Sequence, residues 1–109
     1  MKLLIAIVQD EDAPRLISAL MEHGYGVTKL ATTGGFLRAG NTTVLTGVEE
    51  NQLDETLKVI ESVCKPRKQI APNPGLIGVD LGAYGSFPIE VTVGGATVFV
   101  LAVDQFIKL

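Results

Sequence analysis

A single cysteine and no tryptophan stand in 109 residues, and each scarcity removes a class of protein. Cys64 has no partner for an internal disulfide, so the fold must hold without covalent staples. The one histidine, His23, stands near a predicted helix C-terminus with no second His, which makes it a poor metal ligand or catalytic base. Basic charge is scarce too: 9 Lys and Arg against 12 Asp and Glu leave a net charge of −3. That balance speaks against a general nucleic-acid binder, which needs a basic face to neutralise several phosphates. No long apolar run is present at the start. MKLLIAIV is too short to cross a bilayer and leads directly into QDEDAP, so no signal peptide is read and a cytoplasmic protein is expected.

What is there suits one domain over residues 1–109, large enough for a single hydrophobic core. Apolar residues make up 47% and aromatics only 6%, so that core should be mostly aliphatic. Leu3 to Val8 (LLIAIV) reads as a central strand. Leu4, Ala6 and Val8 alternate with Leu3, Ile5 and Ile7, so both of its faces are apolar and both need cover. A helix follows, with Asp10 or Asp12 available to cap it and Pro14 in its first turn. Leu16, Ile17, Leu20 and Met21 form its apolar side, and Gly24 suits a left-handed C-terminal cap.

Val27–Thr32 and Thr42–Val48 read as strands and as antiparallel partners. A second helix is expected from Asn51, with Asp54 three residues on and Leu53, Leu57, Ile60 and Cys64 at helical spacing. Cys64 on that stripe is expected to be a buried, inert thiol. From Lys65 to Phe87, frequent Pro and Gly leave no room for a regular element of ordinary length, and Lys65, Arg67 and Lys68 read as a solvated helix end. Ile89–Val93 and Ala96–Val103, separated by Gly94-Gly95, give a strong hairpin signal, because the centre of such a turn needs positive φ. The order predicts an α+β, ferredoxin-like βαββαβ fold with an antiparallel sheet, both helices on one face, extended by one strand. The helix-free face then also needs cover, most simply by homo-oligomerisation.

The segment TTGGFLRAGNTT sets Phe36 and Leu37 among turn formers. Its glycines free backbone N–H groups, its Thr and Asn side chains offer hydrogen bonds, Arg38 offers a cation, and Phe36 could stack on a purine. A nucleotide-sized ligand would explain the mixture; a well-tied hairpin loop whose Phe36 fills its own gap also would. The loop has neither a Walker spacing nor a dinucleotide-binding glycine fingerprint. Asp10, Glu11 and Asp12 are better explained by capping and solvation than by a metal, and no base or nucleophile accompanies them. Binding is preferred to catalysis, so a non-enzyme with no metal or cofactor is expected.

Three blocks carry a resemblance: IAIVQDEDA, TKLATTGGFLRAGNTT and IEVTVGGATVFVLAVDQF. Together they resemble the PII-like cyclic-di-AMP receptors of Gram-positive bacteria over essentially the whole chain. The resemblance implies a ferredoxin-like subunit in a homotrimer, with cyclic-di-AMP held in clefts between subunits and an unknown downstream protein as partner. It also implies a short loop after the second strand and a long one after the second helix. It places Thr28, Gly35, Phe36, Leu37, Asn41 and Gly47 against the ligand. Phe36 packs on adenine, Thr28 and Asn41 hydrogen-bond, and the glycines allow close approach; Phe99 of an adjoining subunit helps wall the cleft. Relatives often carry Asn and Arg where this chain has Gly24 and Gly26, and that Arg contributes to binding. Lys29 or Arg38 would have to compensate, and Lys108 matches a C-terminal polar side chain only loosely. The two glycines leave open an alternative: a PII-like trimeric interaction module that has lost or changed its nucleotide.

Overall fold

The computed structural model describes residues 1–30, 40–72 and 88–109. Its elements are β1 (Lys2–Gln9), α1 (Ala13–Glu22), β2 (Val27–Leu30), β3 (Asn41–Val48), a short 3-10 turn (Glu50–Gln52), α2 (Leu53–Cys64), β4 (Arg67–Pro72), β5 (Pro88–Val93) and β6 (Ala96–Ala102). Four strands form an antiparallel sheet in the order β2-β3-β1-β6, and β4 pairs with β5 in a separate ribbon. The expected pairing of the second and third strands is present, with Thr28 opposite Leu45. This α+β arrangement fits the ferredoxin-like expectation.

Strand alternation decides which half of β1 is core. Leu4, Ala6 and Val8 are buried with Val44 and Val48 of β3, Leu16 and Leu20 of α1, and Ile60 and Cys64 of α2. Both helices therefore cover one face of the sheet, and each fully buried Leu or Ile there contributes about 1.5–3 kcal/mol. The α1 stripe is centred on Ala13, Leu16 and Leu20. Met21 was expected on it but is 62% exposed, because one turn beyond half-buried Ile17 the helix surface has rotated off the sheet. Gly24 has the anticipated positive φ, 84°.

The start of α2 lies further on than Asn51. Glu49 and Gln52 form the capping box of the 3-10 turn that leads into α2, with the Glu49 N–H donating to Gln52 Oε1 at 3.0 Å. The Glu49 carboxylate in turn accepts from the Gln52 backbone N–H, the role Ser or Thr usually fills.

Two expectations about the C-terminal half are overturned. Residues 67–72 were expected to be irregular, yet they form β4, bounded by Pro66 and Pro72 and paired to β5 from Arg67↔Val93 to Pro72↔Pro88. Nor do the strands flanking Gly94-Gly95 form a hairpin. Both glycines have positive φ, 89° and 87°, but they pass the chain from β5 in the ribbon to β6 in the main sheet, where β6 pairs with β1. The main sheet is accordingly not extended by β5; the Gly-Gly pair supplies a sharp reversal between two sheets.

The base of the ribbon is tied to the rest of the molecule. Arg67 Nη2 donates to Asp12 Oδ1 at 2.7 Å, and Arg15 Nη2 donates to the same oxygen at 2.9 Å. The Gly95 N–H donates to the Cys64 carbonyl, closing the corner between α2 and the ribbon. Asp12 occupies the N-cap of α1, but its side chain makes no capping bond and is 0% exposed. Capping and solvation therefore do not describe it, and Arg67 does not belong to a solvated helix end. The two side chains instead form an ion pair across 55 residues of sequence.

Candidate functional site

The register assembles one continuous face opposite the helices. Residues paired across an antiparallel sheet point the same way, so Thr28, Leu45, Ile5 and Phe99 form a row running from β2 across β3 and β1 to β6. Gly47, Leu3 and Leu101 form the neighbouring row on one side, and Leu30, Thr43, Ile7 and Thr97 the row on the other. Asn41, opposite Gln9, closes the far end. The floor is apolar and open: Phe99 is 50% exposed and Leu101 45%, while Leu3, Ile5, Ile7 and Leu45 are half-buried. Apolar strand faces of this kind gain free energy when covered.

Four sequence-nominated residues, Thr28, Asn41, Gly47 and Phe99, thus share this face. They do not sit in one pocket of the single chain. Thr28, Gly47 and Gly26 border a cleft of about 470 Å³ with Leu3, Leu45 and Phe106. Asn41 borders another of about 290 Å³ with Gln9, Thr97 and the Gly94-Gly95 backbone. Asn41 and Gly47 stand six positions apart along β3, roughly 20 Å at ~3.4 Å per residue. Gly35, Phe36, Leu37 and Arg38 lie outside the described residues.

Local chemistry explains how the first cleft is shaped. Thr46 faces the helices, where its hydroxyl donates to the Gly26 carbonyl at 2.8 Å and so pins the start of β2. Thr28, two residues on, is exposed at the sheet edge. A Cβ at Gly47 would lie 3.9 Å from Met1 Sδ, and one at Gly26 would meet nothing within 4 Å, so both positions leave room for a ligand. Lys29 falls opposite Val44, on the helix-bearing face and away from Thr28. Lys108 lies in the segment after β6, its Nζ 5.9 Å from the Phe106 ring centroid.

Charge is nearly absent from the floor: the rows just described contain no Lys or Arg. Hydroxyls, amides and backbone groups are what this face offers to hydrogen-bond a ligand, while Ile5, Leu45 and Phe99 offer a flat apolar surface. Cys64, the buried last residue of α2, takes no part; burial pushes its thiol up to about 11, so it stays protonated at neutral pH.

Gln9 and Thr97 were not nominated from the sequence, yet they border the Asn41 cleft. Only the strand register reveals them, since they come from β1 and from the strand beyond Gly94-Gly95.

Residues 1–109, the whole chain, match a family model described as cyclic-di-AMP receptor. Among solved structures, a crystal structure of a functionally unknown protein from Pediococcus pentosaceus shares 44% identity, with a TM-score of 0.76 and coverage of 99% of this chain and 96% of that one. A match over the full length together with that likeness in sequence and fold places this chain in the cyclic-di-AMP receptor family.

Proposed function

We propose that the chain is a PII-like, non-enzymatic signal receptor that binds cyclic-di-AMP as a cytoplasmic homotrimer, with the nucleotide in clefts between subunits. The observation that carries this reading is the shared face: Thr28, Asn41, Gly47 and Phe99 all lie on the apolar, helix-free side of the sheet. A second subunit laid against that side covers Leu3, Ile5 and Leu101 and turns two separate clefts into the walls of a joint one. Bases then meet the apolar floor, Thr28 and Asn41 supply hydrogen bonds, and Gly47 allows close approach of the ribose-phosphate ring. Phe36 and Leu37 add the remaining apolar wall in this scheme. Binding alters what a downstream protein meets by shifting populations of the free trimer.

Calorimetric titration with cyclic-di-AMP and, separately, cyclic-di-GMP tests the proposal. Heat with the adenine ligand and none with the guanine ligand is expected. No heat with either at high micromolar concentration overturns nucleotide binding and leaves a trimeric interaction module. Native mass spectrometry reads the assembly at the same time, and a monomer would overturn the intersubunit cleft.

A further inference from the structure

The Asn41 end of the face is built into the base of the β4–β5 ribbon. Gln9, the last residue of β1, faces Asn41 in the sheet, and its side-chain Oε1 accepts the Gly94 N–H at 2.8 Å. Gly94 is the first residue past β5. One step further along, the Asp10 N–H donates to the Gly40 carbonyl at 2.8 Å, and the Thr42 hydroxyl donates to the Asp10 carboxylate. Asp12 then takes Arg67, the first residue of β4. The run from Gln9 to Asp12 therefore holds the start of β3 on one side, and on the other Arg67 of β4 and the glycine that follows β5.

Gly94 sits in a crowded corner at the ribbon base, where only a residue without a side chain fits. Its φ is 89°, and a Cβ there would lie 2.7 Å from the Lys65 carbonyl oxygen and 2.8 Å from Arg67 Nη1. Its neighbour Val93 pairs with Arg67 at the ribbon base, so Gly94 is joined directly to that pair. The Gln9 carboxamide, meanwhile, lines the same small cleft as Asn41 and Thr97, where a ligand held by Asn41 would reach it.

We infer that Gln9 couples occupancy of the Asn41 cleft to the ribbon: a ligand N–H donor, such as the exocyclic amine of an adenine, competes with Gly94 for the Gln9 side-chain carbonyl, and the ribbon base loosens when nucleotide is bound. The inference rests on the nucleotide-binding reading above. Gln9 is a positioning residue in this scheme, and the ribbon is the element whose two arrangements the ligand biases.

Amide hydrogen exchange in the ribbon, measured with and without cyclic-di-AMP beside calorimetry of the same samples, tests it. In the wild-type protein, saturating ligand is expected to speed exchange at Gly94 and the adjoining β5 amides several-fold. In Gln9→Leu those amides exchange fast without ligand and no longer respond to it. Gln9→Glu keeps the acceptor, so its ligand-free exchange remains slow, which separates coupling from damage to the fold. Ribbon exchange that ligand leaves unchanged or slows in the wild type, or a ligand response that survives in Gln9→Leu, overturns the coupling alone. Calorimetric silence in the wild type overturns the nucleotide reading and the coupling together.

Discussion

Arg67 and Asp12, 55 residues apart in sequence, meet at 2.7 Å where the ribbon leaves the body of the protein. The Asp12 carboxylate is wholly buried and takes a second guanidinium from Arg15. The Arg67 hydrogen bond holds the Asp12 pKa below its ordinary 3.8, against the opposing effect of burial and with help from Arg15. A depressed native pKa means that the unfolded chain binds the proton first as pH falls. The stabilisation from this pair is therefore full above the unfolded value of about 4 and is lost as pH drops toward the lower native value. Asp12→Asn should lower the urea midpoint at pH 7, and its deficit relative to wild type should narrow below about pH 4. A deficit that stays constant down to acid unfolding would contradict this account.

Gly94 and Gly95 offer a paired comparison. Both have φ near 90°, so alanine at either should cost about 1–2 kcal/mol in backbone strain. Only at Gly94 would the new Cβ meet backbone oxygen at 2.7 Å; at Gly95 the nearest atom is Pro66 Cγ at 3.8 Å. Gly94→Ala should therefore be the more destabilising in denaturant titrations, and equal losses would mean that the crowding is relieved by movement.

Gly26 tests the resemblance directly. Its backbone has no positive φ and its Cβ position is open, so Gly26→Arg should fold like wild type. A charge-assisted hydrogen bond of about 1.5–3 kcal/mol should then tighten cyclic-di-AMP binding roughly tenfold to a hundredfold, measured by calorimetry. Gly26→Ala should change little. An Arg variant that binds no better than the Ala variant sinks the idea that a guanidinium belongs at this edge.

Phe99 is half-exposed in the single chain, so Phe99→Ala should cost the subunit fold only about 1 kcal/mol. Its affinity for cyclic-di-AMP should nonetheless fall at least tenfold if the ring walls the cleft, as expected of a central aromatic at a binding surface. Unchanged affinity removes Phe99 from the site.

Cys64 should behave as core. With its thiol buried and held at about 11, it should react with an aromatic disulfide reagent at pH 8 only as fast as the chain opens. Rapid stoichiometric labelling of the native protein would show that the α2 corner opens far more readily than its packing indicates.

Local pattern made the first half of the chain legible. The continuous apolar run Leu3 to Val8 announced β1, and Leu57, Ile60 and Cys64 announced α2 by helical spacing, because these signals sit within one element. Failures came where the deciding partner is remote. Residues 67–72 read as irregular since β4 gains its hydrogen bonds from a strand that begins at Pro88. Asp12 read as a cap because nothing near it in sequence predicts Arg67. Gly94-Gly95 signalled its backbone conformation correctly, but a turn signal cannot say whether the two strands it joins belong to the same sheet. Of the candidate site, Thr28, Asn41, Gly47 and Phe99 were reached through resemblance, and Gln9 and Thr97 became visible only with the strand register.

The two-residue link between β5 and β6 joins the ribbon directly to the edge of the main sheet. β6 starts at Ala96, directly after Gly95, and Phe99 stands only three residues further along the same strand. Gly94 and Gly95 are thus the whole of the chain between the ribbon and the strand that carries Phe99. A partner seated on the ribbon and a molecule seated on the apolar face would therefore stand on neighbouring stretches of one chain, divided by two glycines.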